Sequence, residues 1–170
     1  GVDDPEGVHA QAALTELGLE GVVQVRLGRG YLLPPGLDDA ARERAMKEFL
    51  VDPVVDDARV TAPRSEPAAT PGCHRVLVAR KAGVMDPVAQ TLEDALRGDD
   101  LLAPESRGVV STFRAWEITL AEGADPGGLN AAARAALANE VIEDISIGSE
   151  ALPYGAPDPR PRHGRVEVPI

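Results

Sequence analysis

The side chains that most often carry chemistry are few in this chain. The histidines are His9, His74 and His163, and Cys73 is the only cysteine. No H-x-x-x-H or C-x-x-C spacing occurs, which argues against a zinc site. Cys73 and His74 are adjacent, but adjacency along a chain does not set a thiol against an imidazole base. We therefore interpret Cys73 as a linker residue.

Pairs of adjacent aspartates raise the question of a metal site or of acid–base catalysis. The pairs are Asp3-Asp4, Asp38-Asp39, Asp56-Asp57 and Asp99-Asp100. The first two stand at predicted helix starts, where negative charge meets the positive end of the helix dipole. The other two fall in predicted turns, where aspartate binds nearby backbone amides. Capping and solvation explain all four pairs without a catalytic role.

The stretch "GRGY" (Gly28–Tyr31) is the part of the chain most similar to a nucleotide-binding loop. A dinucleotide turn needs a third glycine that opens a helix, whereas this stretch continues into apolar residues. No Gly-Lys-Ser/Thr of a phosphate-binding loop occurs either. We predict a bend or bulge within a strand.

Two Arg-x-aromatic pairs are stronger candidates for function: Arg29 with Tyr31, and Arg114 with Trp116. Residues two apart in a strand share a face of the sheet. Arginine and aromatic side chains often anchor protein interfaces, so these four residues form a candidate interface. The alternative is structural: each aromatic ring packs over the helices while its arginine covers the rim.

The elements that would position these residues occur twice. The motif G-V-x-D-P begins at Gly1 and again at Gly83, an offset of 82 in residue number. Its aspartate is suited to cap a helix and its proline to begin one. Apolar residues at helical spacing follow in both copies. They are Ala10, Ala13, Leu14 and Leu17 in the first copy and Leu92, Ala95 and Leu96 in the second.

The later segments repeat as well. Arg29 and Arg114 stand at an offset of 85 within two strand-like runs, and each run is followed by a second helical segment. The closing strands, Val51–Val60 and Ala138–Ile147, give an offset of 87. The second copy has therefore gained five residues, and the loop Gly98–Gly108 is the natural place for some of them. Drift confined to loops is typical of an internal duplication.

We predict an α+β fold made of two tandem ferredoxin-like units, each strand–helix–strand–helix–strand, side by side as a pseudo-dimer with antiparallel sheets. The first unit spans residues 1–62 and lacks its opening strand; residues 63–73 are a linker. The second unit spans residues 74–152, and a Pro-rich tail covers residues 153–170. The missing strand could come from an earlier chain start, from a partner chain, or from "VEVPI" (Val166–Ile170).

Charge and composition exclude several classes of partner. The net charge is −11, and a surface this acidic repels nucleic acid and anionic membranes. No apolar run reaches the length of a transmembrane helix. A single cysteine suits a reducing compartment, so we expect a cytoplasmic protein.

The two copies resemble PurS, the small subunit of phosphoribosylformylglycinamidine synthase. The similarity lies in "GVDDPEGVHAQAAL", "VRLGRGYLL" and "FLVDPVVDD" in the first copy, and in "GVMDPVAQTLEDAL", "TFRAWEI" and "LANEVIEDISI" in the second. Two fused PurS-like units resemble the N-terminal region of certain long synthase polypeptides of the PurL type, where they take the place of a PurS dimer.

This resemblance implies a non-catalytic scaffold role in purine biosynthesis. The synthase is a C–N ligase that makes an amidine from formylglycinamide ribonucleotide, using ATP and ammonia released from glutamine. The implied partners are a PurL-type synthetase, which would hold ATP and magnesium, and a PurQ-type glutaminase. A homo-oligomer is left open. No cofactor is expected in this chain, and no motif matches a catalytic residue of the enzyme.

Two other classes of function are considered. Paired ferredoxin-like units often bind effectors at their junction, so a small-molecule sensor is the main alternative; it requires a polar pocket between the units. A free-standing enzyme, such as a small isomerase, requires Asp86 or His9 in a cleft with a shifted pKa.

Overall fold

A computed structural model of the chain describes residues 4–34, 37–50, 59–61, 72–104, 110–148 and 165–169. The helices are α1 (Pro5–Glu16), α2 (Asp39–Ala45), which continues as a π-helical turn at Met46–Leu50, α3 (Pro87–Gly98) and α4 (Leu129–Leu137). The strands are β1 (Val22–Leu32), β2 (Arg59–Thr61), β3 (Cys73–Arg80), β4 (Ser111–Leu120), β5 (Glu143–Ile147) and β6 (Arg165–Pro169).

The strands form one sheet in the order β2-β6-β1-β4-β3-β5, and every neighbouring pair is antiparallel. The predicted α+β class with antiparallel pairing is confirmed. We refer to α1, β1, α2 and β2 as the first half and to β3, α3, β4, α4 and β5 as the second half. The central strands β1 and β4 join the two halves.

The β1–β4 ladder is symmetric, because its residue pairs remain equivalent when the two strands are interchanged. Arg29 lies opposite Arg114, Leu27 lies opposite Trp116, and Tyr31 lies opposite Thr112. The offset of 85 that relates 29 to 114 also relates 27 to 112 and 31 to 116. The offset found in the sequence is therefore the one about which this ladder is symmetric, with the arginine pair at its centre.

Strand β6 lies beside β1 as β3 lies beside β4. Val168 is opposite Arg29, and Val78 is opposite Arg114. The outer ladders are related in the same way, because Glu167 is opposite Arg59 in β2 while Leu77 is opposite Ser146 in β5. Positions 59 and 146 stand at the offset of 87 that the closing strands predicted. Of the three sources considered for the missing strand, the structure has the segment 165–169 in this place.

Two apolar clusters pack helices onto one face of the sheet. Each cluster contains one helix from the first half and one from the second. One holds α1 and α4 against β1, β3, β4 and β5; its largest members include Leu14, Leu27, Val76, Trp116, Ile118 and Leu137. The other holds α2 and α3; its members include Leu33, Ala45, Leu50, Leu92, Leu96 and Val110. Each fully buried leucine contributes roughly 2 kcal/mol through removal of apolar surface from water. Because each cluster contains one helix from each half, the two halves share a common core.

The predicted buried face of α1 is partly wrong. Ala10 and Leu14 are buried as expected, but Leu17 is 51% exposed. The helix ends at Glu16, and Gly18 then turns the chain with a φ of 87°. Leu19, beyond that turn, is the residue that enters the core.

The bend or bulge predicted at Gly28–Tyr31 is also wrong. Pairing with β4 is regular through this stretch, and the shift in register lies between Val22 and Gln24. Gly30 is required for a different reason: a Cβ there would lie 1.9 Å from the Phe113 ring. The glycine lets the ring of the neighbouring strand cross the backbone.

Candidate functional site

Two aspartates connect the helix starts to the central strands. Asp4 Oδ1 accepts the amide of Gly7 at 2.7 Å, which caps α1, and its Oδ2 accepts the amide of Leu27 at 3.0 Å. Asp4 and Asp86 are equivalent in the repeated motif, so we expect Asp86 to accept one amide of its helix and one amide of a central strand. The caps predicted at both aspartates are confirmed.

Asp86 does make the equivalent bonds. Its Oδ1 accepts the amide of Ala89 at 3.1 Å, and its Oδ2 accepts the amide of Thr112 at 3.0 Å and the Thr112 hydroxyl at 2.8 Å. Leu27 and Thr112 are equivalent positions of the two central strands, at the offset of 85. Sequence reasoning found the caps but missed these bonds to the strands, because a linear motif does not show which strand amide lies beside it.

These bonds define the geometry of the arginine pair. The amides of Leu27 and Thr112 point to the aspartates, away from the β1–β4 ladder. Residues two apart in a strand point the same way, so Arg29 and Arg114 face each other as a non-hydrogen-bonded pair, with Cα atoms about 4.5 Å apart. Like charges directly opposite each other destabilise a sheet. The centre of the sheet therefore carries two arginines at directly opposite backbone positions.

The two arginines have different surroundings. Arg114 Nη2 donates to Glu143 Oε2 at 2.8 Å, and the same oxygen accepts the Asn139 amide at 2.9 Å. The Arg29 side chain is exposed and forms no hydrogen bond or ion pair with the other residues that the structure describes. Both lie on the face that carries the helices, since they alternate in phase with the core residue Leu27. One positive charge at this centre is thus compensated and the other is left to solvent.

The aromatic members of the predicted interface are packed inside. Trp116 is 5% exposed and belongs to the cluster under α1 and α4, and within the described residues its Nε1 has no hydrogen-bond partner. Tyr31 is half-buried against the cluster under α2 and α3. Their placement follows the structural alternative, in which the rings pack over the helices. The arginines are the members of the set that reach the surface.

A buried acid on α3 is a feature that the sequence analysis missed. Glu93 is 4% exposed, and its Oε1 accepts the Val110 amide at 2.8 Å. Gln11, at the equivalent position of α1, donates from Nε2 to the carbonyls of Val22 and Val23, both at 3.2 Å. Each helix thus uses the same position to satisfy backbone groups near the following strand. Only their shared position in the repeat could have indicated this.

A cleft of about 510 Å³ lies between the loop at Gly18–Gly21, from the first half, and the loop at Ala121–Gly128, from the second. The Ala121 amide donates to the Gly21 carbonyl at 2.7 Å and joins the two loops. Three carboxylates line the cleft: Glu20, Glu122 and Asp125. Asp125 also accepts the Gly127 amide at 2.8 Å, so part of its capacity is used at the start of the turn before α4. The cleft is polar, open, and built from both halves.

The remaining candidates do not converge. His9 is exposed on α1, and His74 is half-buried on β3. Cys73, expected in the linker, is the first residue of β3; burial raises the pKa of its thiol, and the nearby Glu117 adds to the effect. A raised pKa keeps the thiol protonated and weakly nucleophilic. His163, Asp3 and the Asp56-Asp57 pair lie outside the described residues.

Among the residues that the structure describes, no group of three or more His, Cys, Asp or Glu side chains is arranged to hold a metal ion. No helix in this part of the chain combines the length and apolar character needed to cross a membrane.

The chain was also compared with known proteins. Protein-family models, curated proteins and solved structures give no match to it.

Proposed function

We propose that this chain is a PurS-like scaffold of phosphoribosylformylglycinamidine synthase, built from two tandem ferredoxin-like units as a pseudo-dimer. In this role it bridges the ATP-dependent synthetase and the glutaminase. The observation that carries the proposal is the sheet register: the offsets of 85 and 87, taken from sequence motifs, recur as the symmetry of the strand ladders.

The doubled hydrogen bonds of Asp4 and Asp86 support the same proposal. Each aspartate caps one helix and binds one central strand, at equivalent positions of the two halves. Chance similarity of two helix starts would not reproduce the partner in the strand. Both oxygens of each aspartate accept hydrogen bonds, those of Asp4 from two backbone amides and those of Asp86 from two backbone amides and the Thr112 hydroxyl.

The arginine pair supplies the contact point for an acidic partner surface. Arg29 has no counter-charge among the described residues, and it stands opposite Arg114, whose own carboxylate partner is Glu143. A carboxylate from a partner would supply Arg29 with a counter-charge, and charge-assisted hydrogen bonds to arginine are among the strong ones. We place the synthetase or glutaminase contact at this centre.

The proposal is tested by reconstitution with a PurL-type synthetase and a PurQ-type glutaminase. We expect co-purification of the three, and amidine formation from glutamine that depends on this chain. Arg29→Glu should weaken capture at least tenfold and reduce the glutamine-dependent rate, while the rate with free ammonia stays unchanged. Arg26→Glu is the matched control, because Arg26 is exposed on the opposite face of β1. Absence of association for the wild-type chain would refute the proposal.

A small-molecule sensor remains the second candidate because of the cleft between the loops of the two halves. Its carboxylates would favour a ligand with an amino group, and a volume of about 510 Å³ is within the range of ligand pockets. Calorimetric titration of the isolated chain with amino acids and with nucleotides tests this function. Saturable binding that is weakened by Glu122→Gln, with no association with the synthetase, would favour the sensor over the scaffold.

A further inference from the structure

The strand β6 differs from its counterpart β3 in how the chain holds it. Strand β3 is joined to α3 by the short segment 81–86, so it is fixed to the second half by a short connection. Strand β6 is separated from Gly148, the last described residue after β5, by the longer segment 149–164. Its backbone nevertheless pairs on both sides, with β1 over Gly28–Leu32 and with β2 over Arg59–Thr61.

The place that β6 occupies has the properties of a binding site for one extended strand. The Leu27 amide donates to Asp4 and therefore points away from β4. In a strand every second amide points to the same side. The amides of Arg29 and Tyr31 belong to the same set, so they face β6. Val166 and Val168, opposite them, therefore share hydrogen bonds with β1. Main-chain bonds of this kind give affinity for an added strand whatever its side chains.

The sequence of the occupant has a pattern. The registers place Arg165-Val166-x-Val168 where the second half has Arg75-Val76-x-Val78. Strands β6 and β3 thus carry arginine, valine and valine at equivalent positions of the sheet. The site is matched to a segment of the form R-V-x-V.

We propose that the gap between β1 and β2 is an exchangeable strand-binding site, which accepts either the chain's own β6 or the β6 of a second copy. A chain of the length of segment 149–164 can span at most about 55 Å, more than the distance across a domain of this size. Exchange of an identical element is a low-cost route to a dimer. Binding of β6 within its own molecule does not depend on protein concentration, whereas binding of the β6 of a second copy does, so exchange grows with protein concentration. This inference does not depend on the proposed function.

Cysteine cross-linking in the full chain tests the cis position first. In a Cys73→Ser background, Arg29→Cys and Val168→Cys in one molecule should form a disulfide in dilute solution, because a hydrogen-bonded antiparallel pair has Cα atoms about 5.5 Å apart. Arg29 is exposed, so its replacement leaves the core intact. A chain that stays reduced while its circular dichroism matches the wild type would overturn the placement of β6.

Mixing two single-cysteine chains tests exchange. One carries Arg29→Cys and the other Val168→Cys, and the control mixture replaces the first with Arg26→Cys, which lies on β1 outside the β6 ladder. We expect at least tenfold more disulfide-linked dimer in the first mixture than in the control, rising with total concentration. Equal yields in the two mixtures, with the cis disulfide intact, would overturn exchange.

A measurement on the wild-type chain does not rely on variants. A dye-labelled peptide of residues 164–170 should bind with a polarisation change that saturates, and the same peptide with Val168→Pro should bind at least tenfold more weakly. The proline removes an amide that faces β1 and leaves most of the composition unchanged. Equal binding of the two peptides, or none by either at millimolar concentration, would contradict a strand-binding site.

Discussion

Some carboxylates in this protein bind a helix and a strand at the same time, and Asp86 is the clearest case. It caps α3 through Ala89 and also holds the Thr112 amide and hydroxyl of β4. The side chain of Asp38 accepts only the Ala41 amide at the start of α2 within the described bonds. The two residues therefore separate capping from the link between helix and strand.

We predict that Asp86→Ala destabilises the fold by about 2–4 kcal/mol, since it removes a cap and leaves a strand amide without its acceptor. Asp38→Ala should cost about 1 kcal/mol, the typical value for a cap alone. Urea unfolding followed by circular dichroism measures both. Equal losses for the two variants would show that the bond to Thr112 contributes nothing.

The thiol of Cys73 gives a prediction about pH. Burial raises its pKa in the folded chain, so the folded state holds the proton more tightly than the unfolded state does. This contribution to stability is complete below the unfolded pKa of about 8.5 and decreases as pH rises through the interval between the unfolded and the folded pKa. We expect a thiol reagent at pH 8 to modify the native chain more slowly than the urea-unfolded chain, and equal rates would contradict a thiol that the folded chain partly shields.

At the scale of elements, the central strands depend on one close contact. Phe113 of β4 crosses β1 at Gly30, where any Cβ would overlap the ring. Another glycine shows that this constraint is local, because a Cβ on Gly98, at the end of α3, would meet no atom within 4 Å.

We predict that Gly30→Ala destabilises the chain by about 1–3 kcal/mol through overpacking. Gly98→Ala should be neutral or stabilising by up to about 1 kcal/mol, because alanine is the better helix former. Thermal unfolding midpoints measure the difference. The combination of Gly30→Ala with Phe113→Leu should recover part of the loss, and no recovery would place the strain elsewhere.

The unfolding of the whole molecule depends on the packing of helices from one half against helices from the other. Each helix-bearing cluster contains residues from both halves, and Arg44 of α2 pairs with Asp99 just beyond α3. Neither half can lose its helices without opening the core of the other. The halves should therefore unfold as a single cooperative unit.

Trp116 is the only tryptophan and lies in the cluster that joins α1 to α4. We predict that its fluorescence and the far-ultraviolet circular dichroism report the same unfolding midpoint in urea. Two separated transitions, with fluorescence changing in only one, would indicate halves that unfold independently.

Much of this architecture was available from the sequence because it depends on local chemistry. The aspartate before proline caps a helix at Asp4 and Asp86, and most of the apolar residues at helical spacing, such as Leu14, Leu92 and Leu96, are buried. Comparing the chain with itself also gave the three offsets of 82, 85 and 87, and the strand ladders follow the last two. The α+β class and the equivalent places of Arg29 and Arg114 within their strands required no more than this, whereas their position opposite each other came from the sheet register.

Other features were decided only when distant segments met. Nothing in "GRGY" shows that Phe113, from a strand of the other half, will cross Gly30, and a lone glutamate on an apolar helix face does not reveal the Val110 amide that it accepts. The burial of Trp116 and the exposure of Leu17 likewise depend on where a helix ends and what packs over it. Local hydrogen bonds and periodicity are encoded by neighbours in the chain, whereas close packing and the pairing of β6 arise from residues that only tertiary contact brings together.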